Sequence, residues 1–437
     1  MRTALFIVFA VVVVGIVSAQ PTAPLIAFVE DGNLYLWQGG TRLALLDTGK
    51  IERVWLKPDG SRVVFIQDDG RVQMPGYDDL DIADYQYRST SLWAIGTDGE
   101  NLRQLVDVDD YREGFDYGTS VLIHNLEWVP GTSLIAFNTF DVSEVAGFAD
   151  THANLFTVDT ETGERPLAHI TDEYGGFTIS PDGAYAAITT DTDISLMELD
   201  GGMALQNVYS FEQSADTPHN YYYPEMRWAA DAASLLAVDL TSRVGWTETD
   251  DAGNTVHPAV DLVQIHTDGT TQVLVSEENE AFNYWTLRFA ADGTRAVYST
   301  GYDKDCDFVA VTLAGDIPLA PNAKNTVMCQ GQDAYAFIAL TPNGDAYRLE
   351  QRADGATLSR ACDDFSACTL IQEIDGRVRS LDFIDETQYI YRVVVNDGAD
   401  IFSEKHDLFY ALLGEAPQHI GITSRQIPDN VFSVSQP

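Results

Sequence analysis

Apolar residues in this chain fall in short runs broken by turn residues, and one such arrangement recurs. FTISPDGAYAAI (177 to 188) is an apolar run, a Pro-Asp-Gly turn and a second apolar run. It returns as VWLKPDGSRVVFI (54 to 66), LEWVPGTSLIAF (126 to 137), MRWAADAASLLAV (226 to 238), LRFAADGTRAVYS (287 to 299), FIALTPNGDAYRL (337 to 349) and LDFIDETQYIYRV (381 to 393). Seven copies predict a repeat architecture. Pro58, Pro181 and Pro342 preset the first central position of a type I turn, and Gly60, Gly183 or Gly344 supplies the positive φ that closes a hairpin. The second strands VVFI, LIAF, YAAI and LLAV are almost continuously apolar, so both of their faces should be buried.

Each copy is followed by further strand-like segments, as in SLWAIGTDGENLRQLV (91 to 106), NLFTVDTETGERPLAHI (154 to 170) and LVQIHTDGTTQVLV (262 to 275). Their T-D-G and T-E-T-G turns make the unit four antiparallel strands. Such sheets, buried on both faces, suit a radial stack in which each covers the next. The expectation is an all-β, single-domain β-propeller. LIAFVE (25 to 30), NLYLW (33 to 37) and TRLALL (41 to 46) read as strands two, three and four of a blade lacking its first strand. VFSVSQP (431 to 437) stops at the Pro position of the motif, so Val431 to Ser435 should pair beside Leu25 to Glu30 and close the ring. Seven copies plus this split blade predict eight blades, with seven as the alternative should the copy at Leu381 be spurious.

The hairpins resemble the WD40-like, or TolB-like (PD40), propeller repeat, whose core reads S-P-D-G before an apolar strand. Ser180 to Gly183 match it fully, Lys57 to Gly60 nearly so, and the other copies are degenerate. The resemblance covers nearly the whole chain after its first residues and implies a fold. Proteins of this kind include envelope factors, surface binding proteins and propeller domains of peptidases, so no function follows from it.

Arg2, the apolar stretch Ala4 to Val17 and the exit Val17-Ser18-Ala19 have the form of a secretory signal peptide, residues 1–19, with residues 20–437 as the propeller. The stretch is short for a membrane span, so the expectation is cleavage and no stable membrane insertion, with a retained anchor as the alternative. The mature chain is then exported: extracellular, surface-bound or periplasmic. A formal net charge of −42, with 46 Asp and 21 Glu against 25 basic residues, argues against a nucleic-acid partner. Cys306, Cys329, Cys362 and Cys368 form an even set, and in an oxidising compartment the pairs Cys306–Cys329 and Cys362–Cys368 close the shortest loops.

Strand alternation puts the one-to-two and three-to-four turns on one face of the ring, and the two-to-three and blade-to-blade connections on the other. The long segments all belong to the second set: Asp68 to Ser89, Asp107 to Ile123, Asp141 to Ala153, Phe211 to Pro224, Ser242 to Ala259 and Pro321 to Ala334. Long loops on a rigid scaffold commonly carry function. Tyr77, Tyr85 and Tyr87 interleave there with Asp78, Asp79, Asp81 and Asp84, while Tyr221, Tyr222, Tyr223 and Trp246 add aromatic area. Aromatics with acids suit a protein, peptide or carbohydrate ligand.

No cofactor is expected, although calcium is a candidate because Asp303, Asp305 and Asp307 alternate; they lack the glycine and terminal Glu of a full EF-hand loop. G-x-S-x-G and H-E-x-x-H are both missing from the chain. Among the histidines, His124, His152, His219 and His257 lie in or beside the long segments. The sequence thus points to an exported non-catalytic binding or scaffold propeller. A metal-assisted hydrolase, lactonase or lyase at the central channel mouth is the alternative, because channel residues come from separate blades and leave no local motif.

Overall fold

Ser180 to Gly183 show how the repeat makes its hairpin. The Gly183 N–H donates to the Ser180 carbonyl at 2.8 Å, and the Ser180 N–H donates to Tyr185 at 2.9 Å. The Ser180 hydroxyl accepts from the Tyr185 N–H at 2.9 Å and donates to Asp182 at 2.6 Å. Gly183 sits at φ 72°, and a Cβ there would lie 2.8 Å from the Pro130 carbonyl, so the turn also packs against the corresponding turn of the preceding sheet.

The computed structural model describes residues 23–73, 86–107, 119–143, 148–171, 173–200, 204–211, 226–239, 260–277, 282–289, 293, 295–300, 308–313, 326–330, 335–352, 355–362, 365–395, 405–424 and 432–434. These form eight antiparallel sheets around a common axis, an eight-bladed propeller with no helix among the described residues. Sheet one holds β1 (Ile26–Glu30), β2 (Asn33–Gln38) and β3 (Thr41–Leu46). Sheet two holds β4 (Ile51–Leu56), β5 (Arg62–Gln73), β6 (Gln86–Gly96) and β7 (Arg103–Asp107). Sheet three holds β8 (Thr119–Trp128), β9 (Leu134–Ser143), β10 (Phe148–Thr151), β11 (Leu155–Asp159) and β12 (Ala168–His169). Sheet four holds β13 (Gly176–Ile179), β14 (Tyr185–Thr189), β15 (Asp193–Glu198) and β16 (Leu205–Ser210).

Sheet five holds β17 (Met226–Trp228), β18 (Ser234–Asp239), β19 (Val260–His266) and β20 (Thr271–Glu277). Sheet six holds β21 (Phe282–Phe289), β22 (Arg295–Thr300) and β23 (Phe308–Thr312). Sheet seven holds β24 (Thr326–Gln330), β25 (Tyr335–Leu340), β26 (Ala346–Gln351), β27 (Gly355–Ala361) and β28 (Ala367–Asp375). Sheet eight holds β29 (Val378–Phe383), β30 (Gln388–Val394), β31 (Lys405–Leu412) and β32 (Gln418–Ser424), so the copy at Leu381 is a true blade. The last strand, β33 (Phe432–Val434), pairs with β1 through Ile26 to Val434, Ala27 to Ser433 and Phe28 to Phe432, as the chain ends predict.

Burial follows the same geometry. Among the described residues there are eight apolar clusters, and each joins one pair of neighbouring sheets. Trp55 packs with Val121, Ile123 and Phe137 between sheets two and three. Ile26, Phe28 and Trp37 pack with Ile390, Leu408 and Tyr410 between sheets one and eight. At that closing interface a Cβ on Gly421 would lie 2.4 Å from the Phe28 ring, so glycine permits the approach. The Ile422 N–H donates to Glu30 at 3.0 Å, and Lys405 pairs with Asp31 at 2.9 Å.

Two departures from the expected pattern concern sheets six and seven. Pro321 to Ala334 reads as a long connection, yet Thr326–Gln330 within it forms β24, which pairs along the inner edge of β25. By direction and chain position β24 is the counterpart of a fourth strand for sheet six, but it binds sheet seven. Sheet six consequently has three strands among the described residues, and sheet seven has five. The predicted loops at Asp68 to Ser89 and Asp141 to Ala153 are shorter than expected, because β5, β6 and β9 continue into them. Cys362 and Cys368 form the expected disulfide across the β27–β28 hairpin. Cys306 lies outside the described residues, as does the segment 1–22 that contains the predicted signal peptide.

Removing residues 431–437 is expected to lower the thermal unfolding midpoint by roughly 5–10 °C in calorimetry, whereas removing 435–437 alone shifts it by less than about 2 °C. Replacing both Cys362 and Cys368 with Ser should cost about 2 kcal/mol in a denaturant titration, through lost loop-closure constraint.

Candidate functional site

Of the predicted aromatic and acidic positions, Tyr87 alone falls within the described residues. Its ring is buried, in β6. Tyr77, Asp78, Asp79, Asp81, Tyr85, Tyr221, Tyr222, Tyr223 and Trp246 lie outside them, as do Asp303, Asp305 and Asp307. The strands that carry the long connections are described, however, and they put two polar groupings on or near that face.

The first grouping is a seam between sheets two and three. β5 runs 12 residues, β6 11, and β8 and β9 10 each, so these strands extend farther toward the long-connection face than their counterparts elsewhere. The extra length carries polar side chains into the interface. Arg88 pairs with Glu52 and, at 3.4 Å, with Asp68, and its N–H donates to the Ser120 hydroxyl at 2.9 Å. Ser91 donates to Asp69 at 2.5 Å and accepts from the Trp93 indole at 2.8 Å. In sheet three the strand next to β9 is broken between β10 and β11, and the side chains of Asn138 and Asn154 take over its hydrogen bonds. Asn138 donates to the His152 carbonyl at 2.8 Å, and Asn154 accepts from the Thr139 N–H at 3.0 Å. The break lets His152 turn its Nε2 to Asp141 Oδ2 at 2.6 Å, with Tyr174 tilted against the imidazole at 5.3 Å.

The other Asp141 oxygen is enclosed and has no hydrogen-bond partner among the described residues, as is the case for the Asn138 side-chain oxygen. Unsatisfied buried acceptors cost roughly 1–3 kcal/mol each, so they mark places where a donor is missing. Asp141 and His152 both stand in the long segment Asp141 to Ala153, but their pairing depends on a strand break that no local motif announces.

The second grouping lies at the axis. Innermost strands have one unpaired edge, and the register leaves the Ile123 carbonyl, the Ile179 N–H and the Phe289 carbonyl on it. Side chains from neighbouring sheets cap these groups. Arg53 of β4 donates to Ile123 at 2.5 Å, Glu127 of β8 accepts from Ile179 at 2.8 Å, and Arg227 of β17 donates to Phe289 at 3.3 Å. Glu127 is partly buried by area, but its carboxyl is packed within protein. Burial raises its pKa to about 7 against the opposing effect of the Ile179 and Thr178 hydrogen bonds. A carboxyl titrating near neutrality suits general acid–base work as well as structure. Aligning the seven repeats puts Glu127, Thr178, Arg227, Arg288 and Asp382 in one column, between the two apolar residues of the first strand, whereas Arg53 lies two positions before Trp55, which holds that slot in its copy.

A smaller polar contact joins sheets four and five, where the Tyr209 hydroxyl donates to Asp239 beside Asp261. Burial, reinforced by both carboxylates, pushes the phenol upward. Among the described residues no three His, Cys, Asp or Glu side chains are grouped to hold a metal.

No protein-family model matches the chain, and a comparison with curated proteins finds no match. Among solved structures, a eukaryotic initiation factor is 9% identical over 95% of this chain and 99% of its own, with a TM-score of 0.49. A dihydro-heme d1 dehydrogenase is 12% identical over 94% and 75%, with a TM-score of 0.48. An oligogalacturonate lyase in complex with manganese is 10% identical over 82% and 84%, with a TM-score of 0.44. Likeness at this level transfers no activity, substrate or cofactor.

A carboxyl whose folded pKa is raised holds its proton more tightly in the native state than in the unfolded chain. Its stabilising contribution is therefore present below about pH 4.5 and lost as pH rises through about 7. Glu127→Gln should remove that loss, so urea titrations at pH 5 and pH 8 should show the variant gaining roughly 1–3 kcal/mol on the parent between the two.

Proposed function

We propose that this chain is an exported, non-catalytic binding or scaffold propeller of the WD40-like, TolB-like repeat type. It recognises a protein, peptide or glycan with the face that carries the long connections. The observation behind this reading is the one-sided elaboration of the ring. β5, β6, β8 and β9 are prolonged toward that face, whereas the opposite face is trimmed to turns such as Pro58 to Gly60 and Pro181 to Gly183. A rigid ring supports such a face at little entropic cost, because the strands beneath it are already ordered. By chain position, the aromatic and acidic residues at Tyr77 to Tyr85 fall between β5 and β6, and Tyr221 to Tyr223 between β16 and β17, the connections assigned to the same face. Calcium at Asp303, Asp305 and Asp307 would serve to order one of those connections. The disulfide at Cys362 and Cys368 is compatible with export.

The second reading, an enzyme with its site at the channel mouth, is favoured by one observation: the Glu127 carboxyl, held near neutrality in the axial column. Catalysis there requires residues of several sheets to converge on one substrate.

Replacing Tyr85, Tyr221, Tyr222 and Tyr223 together with Ala is expected to move the thermal midpoint by less than about 2 °C. Binding on immobilised glycan and peptide arrays should fall at least about tenfold, the equivalent of one or two aromatic contacts. Replacing Asp98 and Asp268, in turns of the opposite face, should leave array binding unchanged. Equal binding by the tyrosine variant and the parent would remove this face from consideration.

A further inference from the structure

A buried guanidinium in a protein with 67 acidic residues would ordinarily meet a carboxylate. More exposed arginines of this chain do pair: Arg42 with Glu30, Arg88 with Glu52, Arg348 with Glu350 and Arg360 with Asp345. Arg53 is different. It is only 6% exposed, and among the described residues no carboxylate lies within ion-pair distance. The adjacent Glu52 is engaged by Arg88. Arg53 instead donates through Nη2 to the Ile123 carbonyl at 2.5 Å, and its guanidinium carbon stands 5.6 Å from the Trp55 ring. Burial alone lowers its pKa, to about 10, with no acidic neighbour to oppose the shift.

One neutral carbonyl and one aromatic ring do not replace the hydration of a guanidinium. Its remaining N–H donors meet no acceptor among the described residues, and they are not among the fully enclosed polar atoms. β4 begins at the long-connection face, and Arg53 is its third residue, so these donors lie near that mouth of the axial channel.

We propose that Arg53 anchors an oxyanion site at the long-connection mouth of the channel, taking a carboxylate or phosphate group of a small ligand through its free N–H donors. The Ile123 carbonyl holds one arm of the planar fork, and the Trp55 ring limits its rotation. The rest of the fork is thereby presented in the geometry that matches two oxygens of one anion. Because Arg53 is buried, that contact offsets the desolvation it already carries. The site stands whether the ring is a binding module or an enzyme.

The test is thermal unfolding of the signal-free chain at constant ionic strength, with sodium acetate or sodium phosphate replacing sodium fluoride. The expected result is a saturable rise of about 2–4 °C with at least one of the two anions. Arg53→Met should abolish it, and Arg53→Lys should need at least about tenfold more anion for half of the rise. Saturation by acetate alone assigns a carboxylate ligand, by phosphate alone a phosphate, and by both an oxyanion in general. If Arg53→Met gives no cooperative transition, the Lys variant decides. A parent with no saturable response to either anion overturns the proposal, as does a Lys variant with the parent's half-saturation.

Discussion

Every sheet in this protein must be covered on both faces, and the ring is the arrangement that meets this requirement with one element type. Strands such as Val63 to Ile66, Leu235 to Val238 and Tyr389 to Tyr391 are apolar on consecutive residues, so neither face can meet water without losing its transfer free energy. An open stack of eight sheets would leave two faces bare. Closure brings Ile26, Phe28 and Trp37 against Leu408 and Tyr410, and it depends on a glycine at 421 and on three ladder residues from the far end of the chain.

Stacking solves the faces but leaves the edges. The outer edges meet water, as the exposed patterns of β3, β16 and β28 show, but the inner edges gather around the common axis. Backbone groups there still need partners. Two devices answer the need: long polar side chains reaching from the neighbouring sheet, and in sheet seven an extra strand, β24. The residues recruited as caps, Arg53, Glu127 and Arg227, are ionisable. A structural demand on the inner edge thus supplies the chemistry of a candidate site.

Charge acts on a different scale. A net −42 is spread over the whole chain and does not decide local events. Arg53 and Asp141 show the contrast. Each is a buried group whose surroundings leave part of its hydrogen-bonding capacity unmet, and each sits where one sheet passes polar residues into the next.

The repeat, the turn geometry, the ring with its split blade and the division into a trimmed and an elaborated face are legible in the order of the residues alone. All of these rest on local spacing: Pro-Asp-Gly at 181 to 183 closes the same hairpin wherever it occurs, and alternation carries every second connection to the same side. Packing settled that Thr326–Gln330 joins the inner edge of sheet seven, that Asp141 meets His152 across a broken strand, and that Arg53 is buried beside Trp55 with no carboxylate in ion-pair reach among the described residues. Those outcomes depend on which residues of neighbouring sheets face one another. That is set by packing between segments about 70 residues apart for Arg53 and Ile123, a separation at which local pattern carries no information.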